Sequence, residues 1–329
     1  MKKIIVSSLL ATLVLFSCKN QEKKETIDQE PVADQVVTQK GATYAELSTA
    51  EGGEWKGRVY EGGTSFKNVE ELWVPQQHTD HSWYLRYEGP GWESSKVGYR
   101  LYLDWRNAID IFGKVTDQMI LDQVGQDNFD SYHEEQPWGQ DILKVGKALG
   151  IGSYGQLVKD SVYHFQKVDS TYAKVFNGDS SSGVAILYKG WEVADAKTDL
   201  QVRLEIAPDS RLTRATLQPS TALNGLVTGI VKFDDVSLIK SDGEGDWAYI
   251  ATYGEQTLVP DELGMVIFYK KSEVNAIVDG FYDHLIHFKP TTEGVTYYFG
   301  AAWVKEKDGI TNEADFKTYL EEELAKLNG

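Results

Sequence analysis

Two stretches of the chain concentrate side chains that could move protons or hold a sugar. Residues 73–114 carry Trp73, His78, His81, Trp83, Arg86 and Tyr87, then Gly89-Pro90-Gly91-Trp92-Glu93-Ser94, then Tyr99, Arg100, Asp104, Trp105, Arg106 and Asp110. A Gly-Pro-Gly turn lets the backbone approach closely, and Trp92 and Glu93 follow it directly. Indole faces suit the apolar faces of sugar rings, and carboxylates suit hydroxyl groups. Core packing is the plain alternative for each tryptophan, but the clustering with Arg and Glu favours sugar contact for Trp92 and Trp83. The second stretch, residues 131–141 (SYHEEQPWGQD), holds His133 and Trp138 and is followed by Lys144. Tyr, His and Lys are the side chains that usually move protons near neutral pH; a polar surface loop is the alternative.

Two smaller clusters follow. One is residues 253–256 with Gln256, and the other is His284, His287, Tyr297, Tyr298, Trp303 and Lys305. In a strand over 295–302, Tyr297 and Phe299 share one face and Tyr298 takes the other, so only one of the two tyrosines can look into a given site. His78-x-x-His81 is half of a metal-ligand pattern with no third ligand adjacent. No cofactor is expected; a divalent cation is the alternative. No Gly-x-Ser-x-Gly elbow, phosphate loop or dinucleotide fingerprint occurs. Serine hydrolase, kinase and nicotinamide chemistry are thereby disfavoured.

The elements that must position these residues read as strands. Alternation is clear at 97–104 (VGYRLYLD) and 200–206 (LQVRLEI), and recurs at 212–217, 226–233, 247–253, 265–269, 285–288 and 295–302. Turn residues such as Asn177-Gly178 and Pro208-Asp209 separate several of them. One helix is evident at the end, where Thr311 or Asn312 caps a run with Phe316, Leu320, Leu324 and Leu327 at near-helical spacing. Residues 141–149 fit a short helix or a strand. So many strands without an internal repeat predict an all-β fold, two large antiparallel sheets packed face to face, with few short helices.

The amino terminus reads as an address. Lys2 and Lys3 precede an apolar run at 4–16 that is short for a membrane span. The run ends at Cys18, the single cysteine of the chain, in the layout of a bacterial lipoprotein signal. The expected organisation is a signal peptide over 1–17, a lipidated Cys18 opening a solvated tether over 18–41, and one β-sandwich over 42–329. Two-chain lipidation would anchor the protein stably, and Lys19 favours the outer membrane, at its periplasmic or surface face. The chain carries 33 Lys and Arg against 50 Asp and Glu, a net charge of −17. That balance argues against nucleic acid and against a polybasic membrane patch, leaving the lipid as the membrane contact.

At residues 86–114, 131–155, 226–233, 250–256 and 296–310 the chain resembles a family of Bacteroidota lipoproteins and secreted proteins grouped as domain of unknown function 4861. The matching segments include RYEGPGWESSKVGYRLYLDWRNAIDIFGK and SYHEEQPWGQDILKVGKALGIGSYG. The resemblance implies a galactose-mutarotase-like supersandwich and a place in the breakdown of uronic-acid polysaccharides such as ulvan or alginate. One branch is associated with dehydration of uronate-terminated oligosaccharides. Some members carry histidines where this chain has residues 85–88 and Phe233, which leaves His133 as the histidine close to a shared motif.

Elimination of water across C4 and C5 of a terminal uronate sets three needs. A cation must neutralise the carboxylate, a base must take the C5 proton, and an acid must protonate the leaving hydroxyl. The expected set is Arg100, then Arg86, as the cation, and His133 as base or acid. Tyr297 or Lys144 is its counterpart, and Glu93 holds hydroxyls. Trp92, Trp83, Trp138, Gln256 and Trp303 are expected to bind an anionic oligosaccharide or polysaccharide. A polysaccharide lyase and a uronate epimerase or mutarotase would use the same residues, and a non-catalytic glycan-binding lipoprotein is the rival of another class.

Overall fold

The computed structural model describes residues 41–126, 131–241 and 243–329. The expected signal, Cys18 and nearly all of the tether lie outside them. Residues 40–329 form one compact unit, and among the described residues no helix is long and apolar enough to cross a membrane.

The fold is all-β, built on three large antiparallel sheets. The first has five strands whose spatial order follows the chain: Thr43–Glu46, Gly91–Ser94, Val97–Leu101, Ile109–Lys114 and Gly139–Asp141. The second runs Ser161–Tyr163, Ile151–Val158, Leu226–Val231, Asp283–Phe288, Val274–Asp279. A parallel bridge between Ile109 and Gly150 joins the two edge to edge. The third sheet has nine strands and includes the long hairpin of Ser182–Val193 with Ala196–Ile206. One core runs between the nine-stranded sheet and both five-stranded sheets, with Leu101, Ile111, Ile151, Ile230, Val202, Ile267 and Phe299 all buried in it. On the opposite face of the nine-stranded sheet lies the helix Glu313–Asn328, through Phe316, Leu320 and Leu324. Asn312 caps it, its side chain accepting from the Asp315 N–H at 2.9 Å.

The strands expected from alternation are all present, most extended by a few residues. Residues 139–141 are a strand and 142–149 are irregular, which settles the ambiguous 141–149 segment. Tyr297 and Phe299 both face the core, and Tyr298 packs on the helix side.

The first sheet differs from an ordinary half-solvated sheet. Trp92, Tyr99, Leu101, Ile109 and Ile111 point into the core. The alternate residues Glu46, Glu93, Arg100, Asp110, Lys114 and Asp141 point outward, yet all are buried. Their cover is an apolar cluster in which Ile120, Leu121, Val124, Tyr132 and Trp138 pack on Tyr87 and Phe112. Charges removed from water in this way must pair with one another, and that pairing builds the site.

Candidate functional site

The outer face of the first sheet is organised by Arg100. Its Nη2 donates to Asp141 Oδ2 at 2.6 Å and to Asp110 Oδ2 at 2.8 Å. Its Nη1 donates to the Tyr132 hydroxyl at 3.0 Å. The Tyr102 hydroxyl donates to the same Asp110 oxygen at 2.5 Å. Burial, and then the negative charge of Asp110, push the Asp141 carboxyl well above the ordinary carboxylate range. Two carboxyls sharing one guanidinium nitrogen cannot both ionise cheaply.

His133, at the end of the short turn Ser131–His133, reaches this pair. Its Nε2 lies 3.3 Å from Asp141 Oδ2, and its side chain keeps 35 % of its exposure while Asp141 keeps 1 %. The ring lies 4.4 Å from that of Tyr132, the residue before it, tilted by 34°. A half-exposed imidazole is thus held by a buried carboxyl, the arrangement that orients a proton-transfer histidine.

On its other side Arg100 joins a second group. Its Nη1 stands 3.8 Å from Glu88, Arg106 bonds Glu88 and Asp104 at 2.6 Å each, and Arg106 meets Asp80 at 2.9 Å. Asp80 in turn bonds His81 Nδ1. A continuous chain of alternating charge therefore links His81 to His133. Burial opposes ionisation of Glu88, but Arg100 and Arg106 outweigh it and hold the carboxyl below its ordinary range. Asp80, His81 and Glu88 bring one ligand atom each within 4.8 Å of one another. Arg106 already meets both carboxylates, so the group does not require a metal cation for its charge balance. His78 lies outside this set: it is buried, with Nδ1 2.7 Å from Ser82 Oγ. The His-x-x-His spacing does not form a half-site.

Backbone strain concentrates here. His81, Trp83, Tyr87 and Glu88 have φ of 53°, 63°, 39° and 70°, a region that bulky residues rarely occupy and that tends to mark functional sites. The conformation leaves Trp83 42 % exposed beside His81, with ring centroids 5.5 Å apart. Trp83, Tyr60, Tyr87 and Tyr132 line a cavity of about 240 Å³ against Gly125 and Gln126.

Of the residues expected from sequence, His133 and Arg100 meet through Asp141, and Trp83 lies beside His81 at the other end of the charged chain, but Arg100 serves in a different role. It is 1 % exposed and bound by carboxylates and phenols, so no fork remains for a substrate carboxylate. Arg86 is likewise buried, paired with Glu46. Glu93 is fully buried as well. It accepts from Lys114 Nζ at 2.8 Å and from the Ile120 and Leu121 N–H groups at 2.8 and 2.9 Å. Burial pulls its carboxyl above the ordinary value against the pull of Lys114. It therefore anchors the cover and cannot hold a hydroxyl.

Tyr297 lies in the core, donating to the Gly152 carbonyl at 2.7 Å. Burial raises its phenol far above the range of a useful acid. Trp92 is in the core, its Nε1 donating to Thr213 Oγ1. Trp138 is buried edge-on against Phe112, and Trp303 donates to Asp261 Oδ1. Gln256 is 1 % exposed and donates to the Leu263 carbonyl at 2.6 Å. None of these can touch a sugar from its present place. Lys144 is exposed and makes no ion pair among the described residues.

Sequence reasoning missed Asp141 as the partner of His133 and Asp110 as the second carboxylate on Arg100, and treated His81 only as a metal ligand. Asp141 was visible in the second cluster, but nothing in its spacing revealed that it faces Arg100.

No curated protein matches the chain. Among solved structures, it is similar to the alpha-N-acetylgalactosaminidase NagBb of Bifidobacterium bifidum, a quadruple mutant. The identity is 11 %, the TM-score 0.33, and the match covers 70 % of this chain and 38 % of that one. The chain thus spans well under half of that protein's length. A family model, Domain of unknown function (DUF4861), matches residues 10–329, and the chain belongs to that family.

Proposed function

We propose that the protein is a carbohydrate-active carbon–oxygen lyase, a dehydratase that removes water across C4 and C5 of a terminal uronate in an oligosaccharide. The observation that carries this reading is the half-exposed His133 imidazole on the buried Asp141–Asp110–Arg100 cluster. His133 takes the C5 proton, with Asp141 fixing its ring. The C4–O bond breaks as the C4–C5 double bond forms, and the departing hydroxyl leaves as water after taking a proton from His81. Arg100 acts as a positioning residue. The cation that meets the substrate carboxylate is Lys144, three residues after Asp141 and exposed. Trp83 offers its face to the sugar ring. In this reading the protein works in ulvan or alginate breakdown, held at the outer membrane by a lipidated Cys18 and needing no cofactor.

Saturated uronate-terminated oligosaccharides incubated with the protein test this. Mass spectrometry would show a product lighter by one water, with new near-ultraviolet absorbance and an unbroken chain. His133→Ala should abolish the product while leaving the unfolding midpoint close to wild type. New absorbance with shorter chains identifies a polysaccharide lyase. Proton exchange at C5 without absorbance identifies an epimerase. Binding with no chemistry identifies a glycan-binding lipoprotein and removes the proposal.

A further inference from the structure

A roomy cavity lies on the outer face of the second five-stranded sheet. It encloses about 620 Å³, within the usual range of small-molecule sites. Trp105 and Lys147 line it, with Tyr282 and Phe281 from the turn between Val274–Asp279 and Asp283–Phe288. A neighbouring hollow of about 380 Å³ shares Phe281, Gly280 and Asp160 with the first and adds Lys159 and Lys232. Phe281 therefore stands as a ridge between two hollows.

Three features distinguish this place from ordinary surface. Phe281 is 81 % exposed, and Trp105 and Tyr282 are 43 % exposed each. Single exposed apolar residues are common, but three large aromatics around one concavity are not. In a chain of net charge −17, Lys147 and Lys159 are exposed and make no ion pair with a carboxylate among the described residues. Lys147 Nζ lies 6.0 Å from the Tyr282 ring centroid, in cation–π reach. Lys232 bridges Asp279 at 2.7 Å.

Exposed aromatic faces interleaved with unpaired ammonium groups match a sugar chain that carries acid groups. The C–H faces of the rings lie on the aromatics, and carboxylates or sulfates meet the lysines. An uncharged glycan would leave the lysines unused, and a purely apolar ligand would strip them of water at a cost. We propose that this double hollow binds an anionic oligosaccharide, with rings on both sides of Phe281. The ligand class is that of the proposed function, but the inference does not depend on chemistry at His133. The two places are contiguous through Arg106, which lines the larger hollow and belongs to the charged chain.

The test is calorimetric titration of the intact protein with tetragalacturonate and with a chondroitin sulfate tetrasaccharide, maltotetraose serving as the uncharged control. At least one anionic tetramer should bind more tightly than maltotetraose, and more weakly as salt rises. Phe281→Ala should weaken it roughly tenfold. Lys147→Ala with Lys159→Ala should remove the preference over maltotetraose. The inference is overturned if neither anionic tetramer binds, if maltotetraose binds equally well, or if the ridge and lysine variants keep wild-type affinity. Binding at the hollows without dehydration leaves this inference standing and removes only the catalytic proposal.

Discussion

The buried pair of Glu93 and Lys114 decides how the face that carries His133 is held, and it can be tested by a double-mutant cycle. Both side chains are 0 % exposed and 2.8 Å apart. Lys114 Nζ also donates to the Ser94 carbonyl at 2.6 Å, and Glu93 satisfies the Ile120 and Leu121 N–H groups of the cover. Glu93→Gln keeps the volume and an acceptor oxygen for those N–H groups, but removes the carboxylate that faces the buried ammonium at 2.8 Å. Breaking a buried pair from one side costs about 3–5 kcal/mol. Lys114→Met leaves the carboxylate stranded at a similar cost. The double variant Glu93→Gln/Lys114→Met strands neither charge and should cost under ~2 kcal/mol. The coupling energy is then at least ~4 kcal/mol in magnitude. Urea unfolding followed by tryptophan fluorescence measures it, provided the slope with denaturant is the same in all four proteins. The double variant should also retain turnover, because Glu93 touches no substrate. Additive single costs would refute the assigned pairing. Lost turnover in a stably folded double variant would refute the assignment of Glu93 as a structural anchor.

Two further outcomes follow from the same reasoning. Burial pushes the Asp283 carboxyl from 3.8 up to about 7. The folded state then keeps a proton that the unfolded chain releases. The resulting stability is fully present below about pH 4 and is lost as pH rises through about 7, amounting to ~4 kcal/mol. Asp283→Asn still accepts from the Leu149 N–H, which now bonds Asp283 Oδ1 at 2.9 Å, and cannot ionise. Its urea midpoint should match wild type near pH 4 and exceed it at pH 8; equal midpoints at pH 8 would contradict the argument. Tyr297→Phe removes the bond to the Gly152 carbonyl, so it should cost about 1 kcal/mol and leave turnover unchanged, measured by absorbance at saturating substrate.

Much of the fold was legible because strand alternation is a local property. The pattern at 200–206 gives the buried face of Ala196–Ile206 directly, and Asn312 with Phe316, Leu320 and Leu324 gives the final helix. The site was legible only in part. His133 and Trp83 stand out by type and by neighbours, and both lie where a ligand could reach them. Arg100, Arg86 and Glu93 look equally functional in the sequence, since a polar residue on an alternating strand normally faces water. Here that face is covered by Ile120, Leu121, Val124, Tyr132 and Trp138, so the polar residues turn to one another. The tryptophans divide for the same reason. Trp92 and Trp303 sit on strand faces turned to the core, whereas Trp83 and Trp105 sit in turns that leave their rings exposed.

The sequence by itself determined the all-β class, the positions of eight of the 23 strands among the described residues, the terminal helix and the family. Those follow from period, capping and motif, which are written within a few residues of one another. Tertiary structure alone decided which charges are spent on each other and which remain for a ligand. That depends on partners brought together across strands, such as Glu93 with Lys114 at 21 residues and Arg100 with Asp141 at 41, and on which sheet face is covered. No local pattern encodes either.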